Sequence, residues 1–296
     1  MKNSPLVSVL MTAYNREKYI AEAIQSVLES TYSNWELIIV DDCSVDNTVV
    51  IAKEFEKIDD RIRVYVNENN LGDYPNRNKA AGYARGKYLK YLDSDDMIYG
   101  YGLEAMVDAI EQFPDAGMVM MWPYDHSVFD PIILSPEMAL RQYFIFNKWL
   151  MVGPSGCLYS AKIFFELGGF SGKNYVGDFE FNMKSILKYP IIKIPNGLLY
   201  YRIHDQQQGN ESGHKKSYRV LLYKIQKDTI SNILCPLSQA DKMEAIKKIE
   251  RLQARRVVFY FVKTLNLKEA IRMVTESDMG WKRFIKGLFS FDKFKP

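Results

Sequence analysis

Short apolar runs alternate with amphipathic stretches along the first 120 residues. Residues 6–11 (LVSVLM) form a mostly apolar run, as expected for a strand covered on both faces. Residues 17–29 then place Tyr19, Ile20, Ala23, Ile24, Val27 and Leu28 at helical spacing. The same alternation predicts strands over 35–40, 61–66, 87–92 and 116–122, and helices over 49–55, 77–84 and 103–113. Ser44 and Asp46 offer N-caps for the helix at 49–55.

Strands separated by helices through short connections predict an α/β fold, a mostly parallel sheet flanked by helices with right-handed crossovers. In such sheets ligands sit outside the carboxyl ends of the strands. Thr12, Asp41-Asp42 and Asp93-Ser94-Asp95 each follow a strand directly, so all three are expected at one edge. Residues 123–205 are less regular: a strand over 157–160, a helix over 161–167, a loop over 168–177, a helix over 178–189 and short strands over 191–194 and 198–201. Beyond Lys215 the pattern turns helical and basic, with a break near Pro236. The expected division is a catalytic domain over 1–210, with halves 1–122 and 123–210, and a basic helical C-terminal extension over 211–296.

Composition narrows the class. With 296 residues, 47% hydrophobic and 25% charged, the chain can bury a full core. The net charge of +3 is too small for a nucleic-acid binder, yet it is unevenly spread: residues 215–296 carry 19 Lys and Arg against 8 Asp and Glu, and residues 1–214 carry 20 against 28. An acidic site followed by a basic tail is expected. Three scattered cysteines, Cys43, Cys157 and Cys235, imply no disulfide framework and fit a reducing cytoplasm. No apolar run suits a signal peptide or a membrane span.

Three carboxylates within four residues, Asp93, Asp95 and Asp96, repel one another. Such a cluster is either a solvated acidic turn or a site for a hard divalent ion, held by one or two carboxylates with substrate phosphates. Asp41-Asp42 can cap a helix or accept hydrogen bonds from a base or ribose; Tyr14 can stack on a flat ring or simply lie at the surface. Neither a P-loop nor a G-x-G-x-x-G is present.

The segments Val7-Ser-Val-Leu-Met-Thr-Ala-Tyr-Asn15, Glu36-Leu-Ile-Ile-Val-Asp-Asp-Cys-Ser44, Asn70-Leu-Gly72 and Ala84-Arg-Gly-Lys-Tyr-Leu-Lys-Tyr-Leu-Asp-Ser-Asp-Asp96 occur in that order. Together they closely resemble the family 2 glycosyltransferases of the GT-A fold, and the resemblance extends more thinly to Tyr201-Arg-Ile-His204. It implies an inverting transfer of sugar from a nucleotide-sugar, UDP-linked, to a glycan or lipid-linked acceptor in bacterial surface-polysaccharide synthesis. It also implies that Thr12 and Tyr14 line the nucleotide site, the tyrosine stacking on uracil. Asp41 and Asp42 would reach the uracil imide, Asp93 the ribose and donor sugar, and Asp95 an Mn²⁺ or Mg²⁺ ion on the diphosphate. Arg77, in Pro75-Asn-Arg-Asn78, lies where the family often has Ala-Arg-Asn, and Thr12 stands where Pro is commoner.

Inverting transfer is a one-step displacement. The acceptor hydroxyl has a high pKa, so a carboxylate within hydrogen-bond reach takes its proton, while a metal ion stabilises the charge gained by the departing diphosphate. The family's base comes from a Glu-Asp pair that opens a helix after a Gly-Phe loop. Here Gly168-Gly-Phe170 precedes Gly177-Asp178-Phe-Glu180, so Asp178 matches the pair's Asp, Gly177 replaces the Glu, and Glu180 stands in reserve. Asp178 would otherwise be a helix N-cap. His204 matches the family's Tyr-Arg-x-His, which brings a histidine to the metal or diphosphate; imidazole suits Mn²⁺ better than Mg²⁺. His126 and His214 receive no role, and residues near Trp122, Pro154 and Ser155 fit either an acceptor pocket or the core.

In the tail, Trp281, Phe284, Ile285 and Leu288 follow i, i+3, i+4, i+7, with Lys282, Arg283 and Lys286 off that face and Phe289, Phe291, Lys293, Phe294 and Lys295 beyond. Such a helix can lie in a membrane interface at the inner face of the cell membrane, or dock on the catalytic domain or a partner subunit. The long helix expected over 242–262 suits contacts in a homodimer. Two rival functions stand beside the transferase: a catalytically weak sugar-nucleotide-binding subunit acting through a partner, which Gly177 keeps open, and a nucleotidyltransferase, which the lack of a Gly-rich basic N-terminal loop disfavours.

Overall fold

The strand β1 (Val7–Ala13) lies at the centre of the N-terminal half. It pairs in parallel with β2 (Trp35–Asp41) on one side and with β4 (Tyr88–Tyr91) on the other; β3 (Ile62–Val66) extends the sheet beyond β2. All seven residues of β2 are buried, because helices cover both faces of the sheet, and this explains its unbroken apolar text. The register sets Ala13 beside Asp41 and Leu10 beside Tyr91. The segments that follow, Tyr14-Asn15, Asp42-Cys43 and Leu92-Asp93, therefore leave the sheet on the same edge. The order β3-β2-β1-β4 reverses direction at β1, and that reversal is where ligands bind in open α/β sheets. The computed structural model describes residues 4–122, 130–146, 152–204 and 216–289.

The sheet then departs from a purely parallel pattern. Next to β4 comes β8 (Cys157–Ser160), antiparallel to β4 and to β6 (Met118–Trp122). β9 (Ile191–Pro195) runs parallel to β6, and β7 (Ile132–Leu134) closes that side antiparallel to β9. A separate two-stranded clasp pairs β5 (Met97–Ile98) with β10 (Leu199–Tyr200), opposing Ile98 to Leu199 and Met97 to Tyr200.

Helices α1 (Ile20–Leu28), α2 (Thr48–Ile58), α3 (Asp73–Gly82) and α4 (Gly102–Glu111) connect the first strands. α1 buries Ile20, Ala23, Ile24 and Val27, the stripe read from the sequence, in a core shared with Val9, Leu37, Met106 and Ile192. α3 starts four residues earlier than the pattern predicts. Pro75 falls within its first turn, where a missing N–H leaves no helical bond unmade. α5 (Pro136–Phe144), α6 (Ala161–Glu166) and α7 (Gly177–Ile186) follow; β7 and α5 are not legible in the sequence pattern.

The chain divides into two compact units, Met1–Ala139 with Trp149–His204, and Leu140–Lys148 with Asp205–Pro296. The second unit contains α8 (Lys216–Ser231), α9 (Gln239–Thr264), α10 (Leu267–Glu276) and α11 (Trp281–Phe289). Ser238 caps α9 and Asn266 caps α10 through their side-chain oxygens, at 3.1 and 3.0 Å from the N–H groups of Asp241 and Glu269. Val220, Val257, Ala270, Met273 and Val274 make the small core, with Phe284 packed on it. Gly287 lets α11 lie close on α9; a β-carbon there would stand 3.1 Å from that of Ala254. The face expected from the sequence is thus divided, Phe284 turning inward while Trp281 and Ile285 stay exposed. His126, His214, Phe291, Lys293, Phe294 and Lys295 lie outside the described residues. No helix among the described residues is long and apolar enough to cross a membrane.

At the opposite end of the strands from Asp42, Glu36 ties the sheet together. It is only 2% exposed. Its carboxylate accepts hydrogen bonds from Ser8 Oγ (2.6 Å), Arg85 N–H (2.8 Å), Arg85 Nε (2.9 Å) and Arg63 Nη2 (2.5 Å). Burial acts to raise its pKa, but these donors outweigh burial and hold it below the ordinary range. This stabilisation is present above the unfolded-state pKa and is lost as pH falls through the folded one. Glu36→Gln should therefore lower stability by about 2–4 kcal/mol at pH 7, and the gap to wild type should narrow below about pH 4. Denaturant titrations at the two pH values check both parts.

Candidate functional site

The loops after β1 and β2 brace each other at the carboxyl edge. Asn15 N–H donates to Ser44 Oγ (2.8 Å), Val45 N–H to Asn15 Oδ1 (3.0 Å), Arg16 N–H to Thr48 Oγ1 (2.7 Å) and Glu17 N–H to Asp46 Oδ2 (3.1 Å). Asn15 and Cys43 hold left-handed backbone, with φ of 53° and 69°. That conformation costs a non-glycine residue free energy and clusters at functional loops. Asp46 serves the start of α2 by accepting from Thr48 N–H (3.0 Å), whereas Ser44 bonds Asp41. Tyr14, 46% exposed, stacks on no other aromatic ring among the described residues, so its face is open.

Asp41 and Asp42 are both buried, and the protein supplies donors to both. Asp41 accepts from Ser44 N–H (2.8 Å) and Ser44 Oγ (2.5 Å). Burial raises its pKa against these bonds. Asp42 accepts from Asn67 Nδ2 (2.7 Å), Leu71 N–H (2.8 Å) and Gly72 N–H (2.8 Å). It thereby fixes the Asn70-Leu-Gly72 turn, in which Gly72 adopts φ of 84° immediately before α3.

α3 carries the next contacts. Arg77 is buried, donating from Nε to Asp73 and from Nη2 to Asp93, both at 2.7 Å, while its guanidinium lies 5.7 Å from the Tyr91 ring centre. Burial alone would lower the Arg77 pKa; Asp73 and Asp93 reverse that and keep it charged. Burial likewise acts to raise Asp93, and the Arg77 guanidinium outweighs it, so the net direction is down. Three residues before Arg77, Tyr74 donates its O–H to Asp178 Oδ1 at 2.7 Å.

Asp178 lies in the first turn of α7, and Phe179 N–H also donates to its Oδ1, at 2.7 Å. Oδ2 takes no hydrogen bond from the described residues. Burial raises the Asp178 pKa, opposed by the bonds from Tyr74 and Phe179 and by Arg77. Gly177 also has a steric reason: a β-carbon there would stand 2.8 Å from the Tyr74 ring. Any side chain at that position requires the Tyr74 ring to move. Glu180 points to a different environment, bonded to Ser171 Oγ and, at 2.7 Å, to Lys173, which hold its pKa down although burial acts to raise it.

The clasp of β5 and β10 brings the Tyr201–His204 segment back to the acidic loop. Arg202 N–H donates to Asp96 (3.1 Å), and His204 Nε2 lies 3.1 Å from Asp95 Oδ2. Arg16 Nε reaches the same Oδ2 at 3.0 Å. The Asp93–Asp96 turn is not a solvated one: Asp96 is buried, and burial together with Asp93 pushes its carboxyl up to about 7. Beneath the turn, the fully buried Lys90 ammonium donates to Tyr91 O (2.7 Å) and Ser155 O. Burial pushes it down to about 8, against the pull of Cys157, Asp93 and Asp96. Ser155 Oγ accepts from Asp93 N–H at 3.0 Å, so Ser155 supports Asp93.

Asp95 Oδ2 and His204 Nε2 stand at hydrogen-bond distance, 3.1 Å; a carboxylate oxygen and an imidazole nitrogen are donor types that suit a divalent ion such as Mn²⁺. No group of three or more His, Cys, Asp or Glu side chains that could hold a metal ion occurs among the described residues.

All the predicted site residues, Thr12 to His204, lie in the first unit; hydrogen bonds join Arg77 to Asp93 and Asp95 to His204, and Tyr74 ties Asp178 to the helix that carries Arg77. Sequence reasoning missed Tyr74, Arg16, Asp73 and Lys90. Asp73 and Tyr74 directly follow the quoted Asn70-Leu-Gly72 motif, the one signal that pointed near them.

The model of the family Glycosyl transferase family 2 matches residues 8–168, more than half of the chain. The chain belongs to this family. Over 137 residues it is 41% identical to TuaG of Bacillus subtilis, named for teichuronic acid biosynthesis, covering 45% of this chain and 54% of that protein. Over 102 residues it is 44% identical to the Escherichia coli UDP-Glc:alpha-D-GlcNAc-diphosphoundecaprenol beta-1,3-glucosyltransferase WfgD, covering 34% and 40%. The chain thus spans about half, or less, of these relatives' lengths. Among solved structures, S. aureus TarS 1-349 in complex with UDP-GlcNAc superposes with a TM-score of 0.72 at 21% identity, covering 95% of this chain and 81% of that one. This family 2 chain therefore has the GT-A architecture expected from its motif order.

Asp42→Asn should destabilise the chain by about 2–3 kcal/mol. The new amide N–H₂ group faces at least one of the three donors that the carboxylate satisfies. Urea denaturation measures it.

Proposed function

We propose that this family 2 chain is an inverting glycosyltransferase that moves a sugar from a UDP-sugar to a hydroxyl of a glycan or lipid-linked glycan in bacterial surface-polysaccharide synthesis. The observation that carries this reading is the state of Asp178: one oxygen is held by Tyr74 and Phe179, and the other takes no bond from the described residues. A carboxylate so held can accept a proton from an attacking hydroxyl at Oδ2 without turning away. Tyr74 and Arg77 on one helix link Asp178 to Asp93, so base and donor site share a rigid support. The names of WfgD and of the TarS complex support a UDP-linked donor.

In this reading Tyr14 stacks on the base, Thr12, Asp41 and Asp42 shape the nucleotide pocket, and Asp93, oriented by Arg77, meets the ribose and donor sugar. Asp95 and His204 would hold Mn²⁺ or Mg²⁺. When bound, that ion supplies positive charge against the leaving diphosphate. Arg16, already on Asp95, adds a cation at the same place. The competing reading, a sugar-nucleotide-binding subunit that does no chemistry itself, rested on Gly177. The contact with Tyr74 gives that glycine a packing reason instead.

Asp178→Asn should lower kcat for transfer by about 10²–10⁴-fold while leaving UDP-sugar affinity within about threefold. Full activity in this variant rejects the assignment of the base; no turnover by wild type with any UDP-sugar and glycan acceptor favours the binding subunit. Because the base works ionised and burial raises its pKa, the rate should fall as pH drops through that pKa. Tyr74→Phe removes a bond that favours the carboxylate, so the acidic limb of the kcat/KM profile should move to higher pH.

Asp95→Ala should abolish the Mn²⁺-linked part of UDP affinity, and His204→Ala should weaken it by about 10-fold or more. Calorimetric titration of UDP with and without Mn²⁺ reads both; unchanged linkage in the Asp95 variant removes that residue from the ion site.

A further inference from the structure

The outer side of α11 presents an apolar row at i, i+4, i+8: Trp281, Ile285 and Phe289, which are 49%, 53% and 73% exposed. Its inner side is already used, by Phe284 on the small core and by Gly287 against α9. Each of the first two exposed apolar residues is followed by a lysine, Lys282 and Lys286, and neither lysine has an ion-pair partner among the described residues. On α10 exposed Leu267 and Ile271 precede Lys268 and Arg272, the latter paired with Glu276, and at the end of α9 exposed Val262 precedes Lys263. Residues 251–289 carry nine Lys and Arg against three Asp and Glu.

From this face we infer that the second unit docks on an anionic lipid bilayer, with Trp281, Ile285 and Phe289 entering the interface and Lys282 and Lys286 meeting lipid phosphates. Exposed aromatic and aliphatic side chains lose water contact on entry, and each nearby cation adds electrostatic attraction to an acidic leaflet. Charge decides against a second copy of the chain. A two-fold contact would press this basic face against itself, and like charges brought together oppose it. A Trp beside lysines also suits the wet-to-apolar gradient of a bilayer interface better than a dry protein contact. The inference stands apart from the sugar-transfer reading, because it concerns binding by the second unit and none of the site residues.

The test is co-sedimentation of the full chain with vesicles of phosphatidylcholine, alone or with about one-third phosphatidylglycerol. Wild type should pellet with the acidic vesicles, far less with neutral ones, and less as salt rises. Lys282→Glu/Lys286→Glu should weaken binding to acidic vesicles about tenfold or more, and Trp281→Ser/Ile285→Ser should weaken it comparably. Thermal melting shows whether each variant remains folded. Should either fail to fold, wild-type Trp281 emission decides: a blue shift with acidic vesicles and quenching by brominated lipid, both absent in Trp281→Phe, are the expected results. Equal pelleting with neutral and acidic vesicles, no emission change, or a dimer that Trp281→Ser converts to monomer overturns the proposal, the last outcome assigning the face to a second copy.

Discussion

One buried guanidinium, that of Arg77, holds two carboxylates of the acidic edge of this sheet, Asp73 and Asp93. Asp41, Asp42, Asp73, Asp93, Asp95, Asp96 and Asp178 all belong to segments that gather where β1, β2 and β4 end or to the helices facing them. Left to themselves, such carboxylates repel and stay protonated when buried. Arg77 lies among them, forking to Asp73 and Asp93 with its plane near Tyr91, and holds Asp93 ionised against its burial. Lysine could not replace it, because a single ammonium cannot present two donors in that fixed fork. From beneath, Lys90 adds a second buried cation.

The geometry also explains how residues far apart in the chain come to one place. Asp42 sets the turn before α3, and α3 then delivers Tyr74 to Asp178 and Arg77 to Asp93. The two-residue pairing of β5 with β10 carries His204 to Asp95 across more than a hundred residues. Each link is short and local, so the register of the strands controls the spacing of the carboxylates. Glu36 matters for the same reason although it lies at the far end: it fixes Ser8 on β1 to the Arg85-Gly86 turn that starts β4.

The parallel half of the sheet was legible because its strands are apolar on both faces and its acidic residues follow them directly, as with Val40-Asp41-Asp42 and Leu92-Asp93. The antiparallel insertion of β8 between β4 and β6 was not. Four residues, Cys-Leu-Tyr-Ser, read as a strand but carry no sign of direction or neighbour. β5 and β10, two residues each, are too short to show a period. Tyr74 escaped notice because its helix looked to begin after Pro75, and Lys90 because a lysine in a strand reads as its solvated face rather than as a buried counter-charge. The motif order pointed to the carboxyl edge, whereas the partners of Asp41 and Asp42 required the three-dimensional arrangement of Ser44, Asn67 and the 70–72 turn.

In the proposed function a nucleotide-sugar and a divalent ion are held at the rim built by β1, β2, α3, the Asp93–Asp96 turn and the segment ending at His204. Hydrogen–deuterium exchange of the full chain, with and without UDP and Mn²⁺, tests it most directly. New protection is expected in 12–16, 41–46, 70–77, 93–96 and 200–204, with little change at the opposite end of the strands around Glu36 and Arg85. Protection confined to other segments, or none at saturating UDP and Mn²⁺, would contradict it.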